Sequence, residues 1–301
     1  MVANHTNNRL VAYRGRFAPS PTGPLHFGSL VSALASYLDA KKYQGEWIVR
    51  LEDVDGTRCK AQYAEQILAT LHSYELVSDS PVRIQSQHTN DYENFLHTLR
   101  SQGVLFPCNC TRQSLADYQG QHPHQCNSTI EQPHSWRLQT SSHHYRCQDA
   151  VQGTLSFCHA LAENSPVLKR KDGYFSYQLA VVVDDHLQGI THLVRGADLI
   201  DTTAQQLHLY ALFGWTAPYL CHIPLIVDRD GNKISKQNHA KAIQNGHLPT
   251  LIRALHYLHI RFDKTPDSIK SALTFAVQQW SPESLKGTLT IPLEEQDQHL
   301  L

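Results

Sequence analysis

Two short segments far apart in the chain constrain it more than anything else: Arg16-Phe-Ala-Pro-Ser-Pro-Thr-Gly-Pro-Leu-His-Phe-Gly-Ser29 and Lys233-Ile-Ser-Lys-Gln237. The first is rich in turn formers between Pro19 and Pro24. It then runs through His26 and Gly28 into an apolar series, Leu30, Val31, Leu34, Ala35 and Leu38, that predicts a helix ending before Gly45. A loop that opens a helix presents free backbone N–H groups and a partial positive charge, which suits a phosphate. Gly28 removes a side chain where a nucleotide would approach, and His26 adds a donor. Taken alone, a Pro-rich turn with a capping histidine explains the segment equally well.

The second segment follows Asp228-Arg-Asp-Gly-Asn232, in which Asp230-Gly231 is a strong hairpin signal. Such a turn presents Lys233 and Lys236 at the tip of a loop, where two ammonium groups neutralise polyphosphate as charge moves during reaction. A lysine pair by itself is more often a solvated surface.

Between these segments the pattern predicts an α/β architecture. Residues 46–51 alternate as a strand, with Trp47, Val49 and Leu51 on one face and Glu52, Asp53 and Asp55 at the carboxyl end, where ligands of open α/β sheets gather. Residues 180–183 read as a short buried strand opening into Asp184 and Asp185. Asp201-Thr-Thr reads as the cap of a helix that carries Leu207, Tyr210 and Ala211 and stops near Gly214. The expected fold is Rossmann-like, split by an insertion over residues 105–166, and the Ser-, His- and Gln-rich residues 127–144 are expected to include a flexible loop.

Of the seven cysteines, an odd and scattered set that argues against a disulfide framework, three stand apart. Cys108-Asn-Cys110 followed by Cys126 has the look of a zinc site, with His122, His124 and Tyr118 as available fourth ligands. Unbound cysteines are the plainer alternative. Cys59, Cys147, Cys158 and Cys221 read as free thiols.

The composition, 41% hydrophobic and 18% charged, is that of a globular chain with a substantial core. No apolar run approaches the length of a membrane span and the N-terminus lacks a secretory pattern, so the cytoplasm is expected. A formal net charge of −1 gives no overall basic footprint, which leaves nucleic-acid binding to a local face.

The loop and lysine segments together resemble the two signatures of class I aminoacyl-tRNA synthetases, and residues 16–29 resemble the glutamyl branch. Arg50-Leu-Glu-Asp-Val-Asp55, Tyr177-Gln-Leu-Ala-Val-Val-Val-Asp-Asp185, Val194-Arg-Gly-Ala-Asp198 and His222-Ile-Pro-Leu225 follow in that family's order and spacing. Two departures are visible. The first signature ends in Ser29 where many class I enzymes have a second histidine, and the lysine motif ends in Gln237 rather than Ser or Arg. Past the lysines, Leu251, Ile252, Leu255 and Leu258 fit one amphipathic helix and Ile269, Leu273 and Val277 a second. A catalytic core followed by so little resembles the glutamyl-Q tRNA(Asp) synthetases, paralogues without the anticodon-binding module. The domains expected are a split Rossmann-like catalytic domain (1–104 and 167–238), a zinc-binding insertion (105–166) and a C-terminal helical subdomain (239–301).

The resemblance implies a ligase that uses Mg2+-ATP to activate L-glutamate and passes it to queuosine in tRNA(Asp), with no obligate protein partner. Carried over residue by residue, it places Arg16, Phe17, Ala18, Pro19, Ser20, Glu52, Tyr177 and Arg195 at glutamate. Pro19, His26, Gly28, Ser29 and Lys236 fall at ATP, and His26, Lys233 and Lys236 carry catalysis. Charge points the same way, because a substrate carboxylate in a dry pocket calls for an arginine, and Arg16 and Arg195 are the candidates. Each also has a bland reading: Arg16 a surface cation, Glu52 a helix cap, Tyr177 a core aromatic, Arg195 a partner for Asp198. In the family the Cys-x-Cys is followed by Tyr-x3-Cys, and counted without a gap His122 takes the tyrosine's place. The expected ligand set is Cys108, Cys110, His122 and Cys126; a gapped reading keeps Tyr118. Four protein ligands would make the zinc structural.

Overall fold

A computed structural model describes residues 12–111, 113–118, 122, 126, 128–140, 144–157, 165–234 and 241–300. In chain order its main elements are β1 (Arg14–Phe17), α1 (Phe27–Lys42), β2 (Glu46–Leu51), α2 (Ala61–Ser73), β3 (Arg83–Ile84), α3 (Thr89–Ser101), β4 (Leu105–Cys108), β5 (Ser135–Leu138), β6 (Tyr145–Asp149), β7 (Gly153–Phe157) and β8 (Val167–Lys169). There follow α4 (Tyr177–Leu187), β9 (His192–Gly196), α5 (Ile200–Phe213), β10 (Tyr219–Ile223), β11 (Leu225–Val227), α6 (Leu248–His256), α7 (Ile269–Gln279) and β12 (Thr290–Pro292).

The central sheet has the order β3-β2-β1-β9-β10-β6-β7. Its pairs are parallel from β3 through to β6, and only the edge hairpin β6–β7 is antiparallel. The order reverses between β1 and β9, the switch point at whose carboxyl side open α/β sheets bind ligands. Residues 105–166 supply strands to two sheets: β6 and β7 extend the central one, while β4 and β5 form a small antiparallel sheet with β8.

The helix expected after Gly28 is α1. Leu30, Val31, Leu34, Ala35 and Leu38 are all buried, in a core shared with Trp47, Val49 and Leu51 of β2 and with Leu251, Leu255, Leu273 and Trp280 from the C-terminal region. The indole of Trp280 donates to Asp39 on α1 at 2.8 Å, which ties the C-terminal helices to the first helix. A second cluster joins α3, α4 and α5 through Tyr92, Leu96, Leu179, Val182 and Leu209. Strand β12 pairs in parallel with β11, so the C-terminus also braces the strand leading to Lys233.

Two expectations change. Residues 180–183 are not a strand but the middle of α4, where every residue from Leu179 to Asp185 is buried. A helix covered all round has no polar face, so its sequence loses the 3.6-residue signal and a valine run reads as β. At α5 the helix starts at Ile200 with Leu199 as N-cap and no side-chain cap, so Asp201 lies inside the first turn. Its other end is as expected, with Gly214 left-handed at φ 68°. The stretch expected to include a loop, 127–144, also contains β5.

Candidate functional site

Parallel strands align their carboxyl ends, and four consecutive strands here end in groups suited to a charged substrate. Strand β1 contributes Arg16, β2 leads into Glu52, β9 carries Arg195 and β10 carries His222, the last two being direct neighbours in register. All four residues are buried. Helix α4 adds Tyr177 and Asp185, eight residues and thus a little over two turns apart on one face.

Arg195 is the most informative of them. Its Nε donates to His222 Nε2 at 2.9 Å, Nη1 to Gln206 Oε1 at 2.7 Å and Nη2 to Thr203 Oγ1 at 2.9 Å. All three acceptors are neutral. A guanidinium has five N–H groups, so these bonds leave one on each terminal nitrogen, a fork that fits a carboxylate. Its acceptors are themselves held in place. His222 Nδ1 lies 2.6 Å from Asp149 Oδ2, so with Nδ1 donating to that carboxylate, Nε2 carries the lone pair that Arg195 needs. Gln206 Nε2 donates to Gln178 Oε1 at 3.1 Å. Burial lowers the pKa of Arg195 and also that of His222, although the bond to Asp149 opposes the latter shift. Asp149 is held below the usual carboxylate range because hydrogen bonds from His222 and Gln152 outweigh its burial.

Arg16 is differently placed. Its Nε and Nη2 reach Asp185 at 3.3 and 3.4 Å, so a carboxylate of the chain already faces it. The fully buried Arg50 reaches Asp185 at 2.8 Å, Glu52 at 3.1 Å and Asp184 at 3.7 Å. Burial alone would lower its pKa, and these three acids more than reverse that. Burial raises the Glu52 carboxyl, with Arg50 and Arg16 opposing. Tyr177 is raised by burial and by the charge of Glu52. Asp184 accepts from Arg83, Gln85 and Tyr92 at 2.7–2.8 Å, which fixes α4 against the sheet. The loop after β1 is tied to β2 by Glu52 N–H donating to the Pro19 carbonyl at 3.0 Å. Phe17 and Pro19 are buried, Ala18 half-buried and Ser20 exposed.

The two signature segments meet at the start of α1. His26 is its N-cap: Nδ1 accepts from the Ser29 N–H at 3.3 Å, and Ser29 Oγ lies 2.9 Å from Nε2. A Cβ placed on Gly28 would stand 3.4 Å from the His26 ring and 3.6 Å from the Ile234 carbonyl oxygen. Both are ordinary contacts, so packing within the chain does not demand glycine there. Ile243 N–H donates to the Leu25 carbonyl at 3.1 Å. Residues on both sides of 235–240 therefore touch the loop of the first signature. Lys233, bridged to Val227 across the Asp228–Asn232 turn, forms an ion pair with Asp198. Lys236 and Gln237 lie outside the described residues.

A profile described as the catalytic domain of class I tRNA synthetases (E and Q) matches residues 12–251. A glutamyl-Q tRNA(Asp) synthetase of Serratia proteamaculans (strain 568) is 42% identical over 291 residues, 94% of this chain and 95% of its own. The chain belongs to the glutamyl-Q tRNA(Asp) synthetase family. The synthetase of that name from Escherichia coli (strain K12) is likewise 42% identical, over 89% of both chains. A glutamate-tRNA synthetase structure from Elizabethkingia anophelis matches with a TM-score of 0.78 at 21% identity, covering 95% of this chain and 68% of that one, a likeness of fold.

In this family member the cysteine motif also comes together. One ligand atom from each of Cys108, Cys110, His122 and Cys126 lies within 4.8 Å of the others, a group able to hold a metal ion. Cys110 Sγ is 3.5 Å from His122 Nε2 and 3.7 Å from Cys126 Sγ. His122, the residue reached by the ungapped count, is buried with Nε2 3.5 Å from Cys110 Sγ, whereas Tyr118 is 48% exposed. His124 lies outside the described residues, as does Cys158. Burial raises Cys126, but hydrogen bonds from Ser128 outweigh it and bring the thiol down to about 7. Among the described residues no helix is long and apolar enough to cross a membrane.

Sequence reasoning gave no site role to Thr203, Gln206, Asp149 or Arg50, although Arg50 heads one of the family motifs and Thr203 ends the Asp201-Thr-Thr segment. Thr203 and Gln206 lie 8 and 11 residues after Arg195, on one face of the helix that follows it, a spacing from which they were recoverable. Asp149 is 73 residues from His222 and nothing in the sequence links them.

Proposed function

We propose that the protein activates L-glutamate with ATP and transfers it to a hydroxyl on the cyclopentenediol of queuosine, at the anticodon wobble position of tRNA(Asp). The observation that carries the amino-acid specificity is Arg195, a buried guanidinium whose contacts are neutral and whose two remaining N–H groups form a carboxylate fork. Glutamate supplies the missing anion through its side chain. Glutamine would leave the fork without a charge partner, a penalty of roughly 2–5 kcal/mol. Glu52 receives the substrate ammonium, Tyr177 orients the chain, and Arg16 with residues 17–20 closes the pocket over the backbone of the amino acid.

The α-carboxylate oxygen so held attacks the α-phosphorus of ATP in line; the bond to the bridging oxygen breaks, and pyrophosphate leaves with the electron pair. No side chain is acylated. His26, the N–H groups at the start of α1, Lys233 and Lys236 hold the polyphosphate and its growing charge, with Pro19, Gly28 and Ser29 lining the nucleotide side. Mg2+ entering with ATP screens the phosphates. In the second step the queuosine hydroxyl oxygen attacks the carbonyl carbon of the adenylate, the acyl–phosphate bond breaks with its electron pair going to AMP, and the hydroxyl proton passes to the departing phosphate or to water. Three thiolates and an imidazole suit zinc, which bound by Cys108, Cys110, His122 and Cys126 would staple the fold around them. The cytoplasm supplies all these substrates.

Purified protein with ATP, radiolabelled glutamate and tRNA(Asp) tests the reading. Labelling of queuosine-containing tRNA alone is expected. Equal labelling of tRNA that lacks queuosine would transfer the assignment to 3′-end charging, and no labelling under saturating substrates would indicate a binding protein.

A further inference from the structure

Among the buried polar groups near the carboxylate fork, one has no work in the contacts described above. Tyr210 is 4% exposed, and its hydroxyl makes no hydrogen bond with any described protein group. It stands on α5 at the positions i, i+3, i+7 with Thr203 and Gln206, so the three side chains share one helix face. The first two of these hold Arg195. The ring belongs to the apolar cluster that includes Leu179, Val182 and Leu209, with Trp215 edge-on at 6.5 Å between centroids. The charges that act on the hydroxyl are those of the glutamate site, Asp185, Arg16, Arg50 and Arg195, and Tyr210 acts on Arg195 in return.

A buried hydroxyl without a partner destabilises the free protein, and native structures keep such groups where a ligand completes them. Asp185 is already engaged by Arg16 and Arg50, and it supplies no bond to Tyr210. We propose that Tyr210 is a further substrate-binding residue, its hydroxyl donating a hydrogen bond to the side-chain carboxylate gripped by Arg195. The inference rests on the reading of this pocket as a glutamate site. Burial and the charge of Asp185 raise the phenol well above its ordinary pKa of 10.0, so it keeps its proton and faces an anion as a donor.

The claim has a signature that a packing role lacks. Tyr210→Phe keeps the ring and removes only the hydroxyl, so the free protein should melt at the same temperature or higher while glutamate binds less well. The contact is remote from the reacting carboxylate and equally strong in ground and transition states, so KM rises and kcat stays. The measurements are thermal melts with and without L-glutamate, and glutamate-dependent ATP–pyrophosphate exchange, on wild type and Tyr210→Phe. Expected are an undiminished melting temperature without ligand, a smaller glutamate-induced rise, and a KM about five- to tenfold higher at similar kcat. If wild type responds to glutamate and the variant responds identically, Tyr210 has no such role although the pocket reading survives. A variant whose ligand-free melting temperature falls while KM is unchanged would mark a structural tyrosine. A wild type that ignores glutamate in both assays would overturn the pocket reading and this proposal together.

Discussion

At the residue scale, the electrostatics of the pocket turn on which arginine already has an acid. Arg16 and Arg50 share Asp185, whereas Arg195 rests on three neutral acceptors. Arg195→Gln should therefore raise the KM for glutamate by roughly thirtyfold or more, the equivalent of about 2 kcal/mol or above, which pyrophosphate-exchange kinetics will measure. His222 sets a pH limit on the same contact. Its folded pKa is depressed below 6.5, so the neutral ring that accepts from Arg195 is fully present above that value. It is lost as pH falls through the lower folded value, when a second ring N–H turns toward the guanidinium. The charges facing the pair are Asp149, Asp198, Arg16 and Asp185. Glutamate affinity should hold at neutral pH and fall in the acid range as the ring takes up its second proton, and a profile that stays flat until the protein unfolds in acid would contradict the assigned tautomer. The candidate pocket residues were legible from motif and charge. Of their supports, Asp149 was not, because it meets His222 only once β6 has joined the sheet beside β10.

At the element scale, local signals succeeded wherever an element has two unlike faces or a conformational terminator. Helix α1 announces itself through a turn-rich loop and an apolar stripe, and α5 stops at Gly214 because a left-handed residue is needed there. Gly214→Ala meets no atom within 4 Å, so its cost is conformational alone. It should destabilise the protein by about 1 kcal/mol, read as a lower denaturation midpoint with unchanged slope. Helix α4 is the counterexample. Its run of valines carries β propensity and no polar face, and only packing between α3 and α5 decides that it is helical. The difference matters to the site, since a strand would aim Asp184 and Asp185 to opposite sides, whereas on the helix both reach Arg50, Asp184 accepting also from Arg83 and Tyr92 and Asp185 from Arg16.

At the scale of the whole molecule, the candidate site lies at the carboxyl ends of the central sheet, and the cysteine cluster begins at the end of β4 in the small sheet of β4, β5 and β8. Metal analysis should find about one zinc per chain in wild type and none in Cys110→Ser. The variant should keep glutamate-dependent pyrophosphate exchange while transfer to tRNA falls, because Cys108 ends a strand of the small sheet and not of the central one; loss of both activities would show that the two sheets fold as one unit. The C-terminal region does more for the site than its sequence suggests, since β12 pairs with the strand that leads to Lys233 and Trp280 pins α1 through Asp39. What the sequence determined by itself was local: the loop that opens helix α1 at His26, the turn that carries Lys233, the residue types that a carboxylate or a metal requires. These follow from spacing along one stretch of backbone. The tertiary structure alone decided which arginine keeps two N–H groups to spare, that a valine run is a helix, and that Tyr210 is buried on the helix that carries Thr203 and Gln206. Those outcomes depend on which distant groups compete for the same hydrogen bonds in a space closed to water, and pairing of that kind leaves no mark in the order of residues.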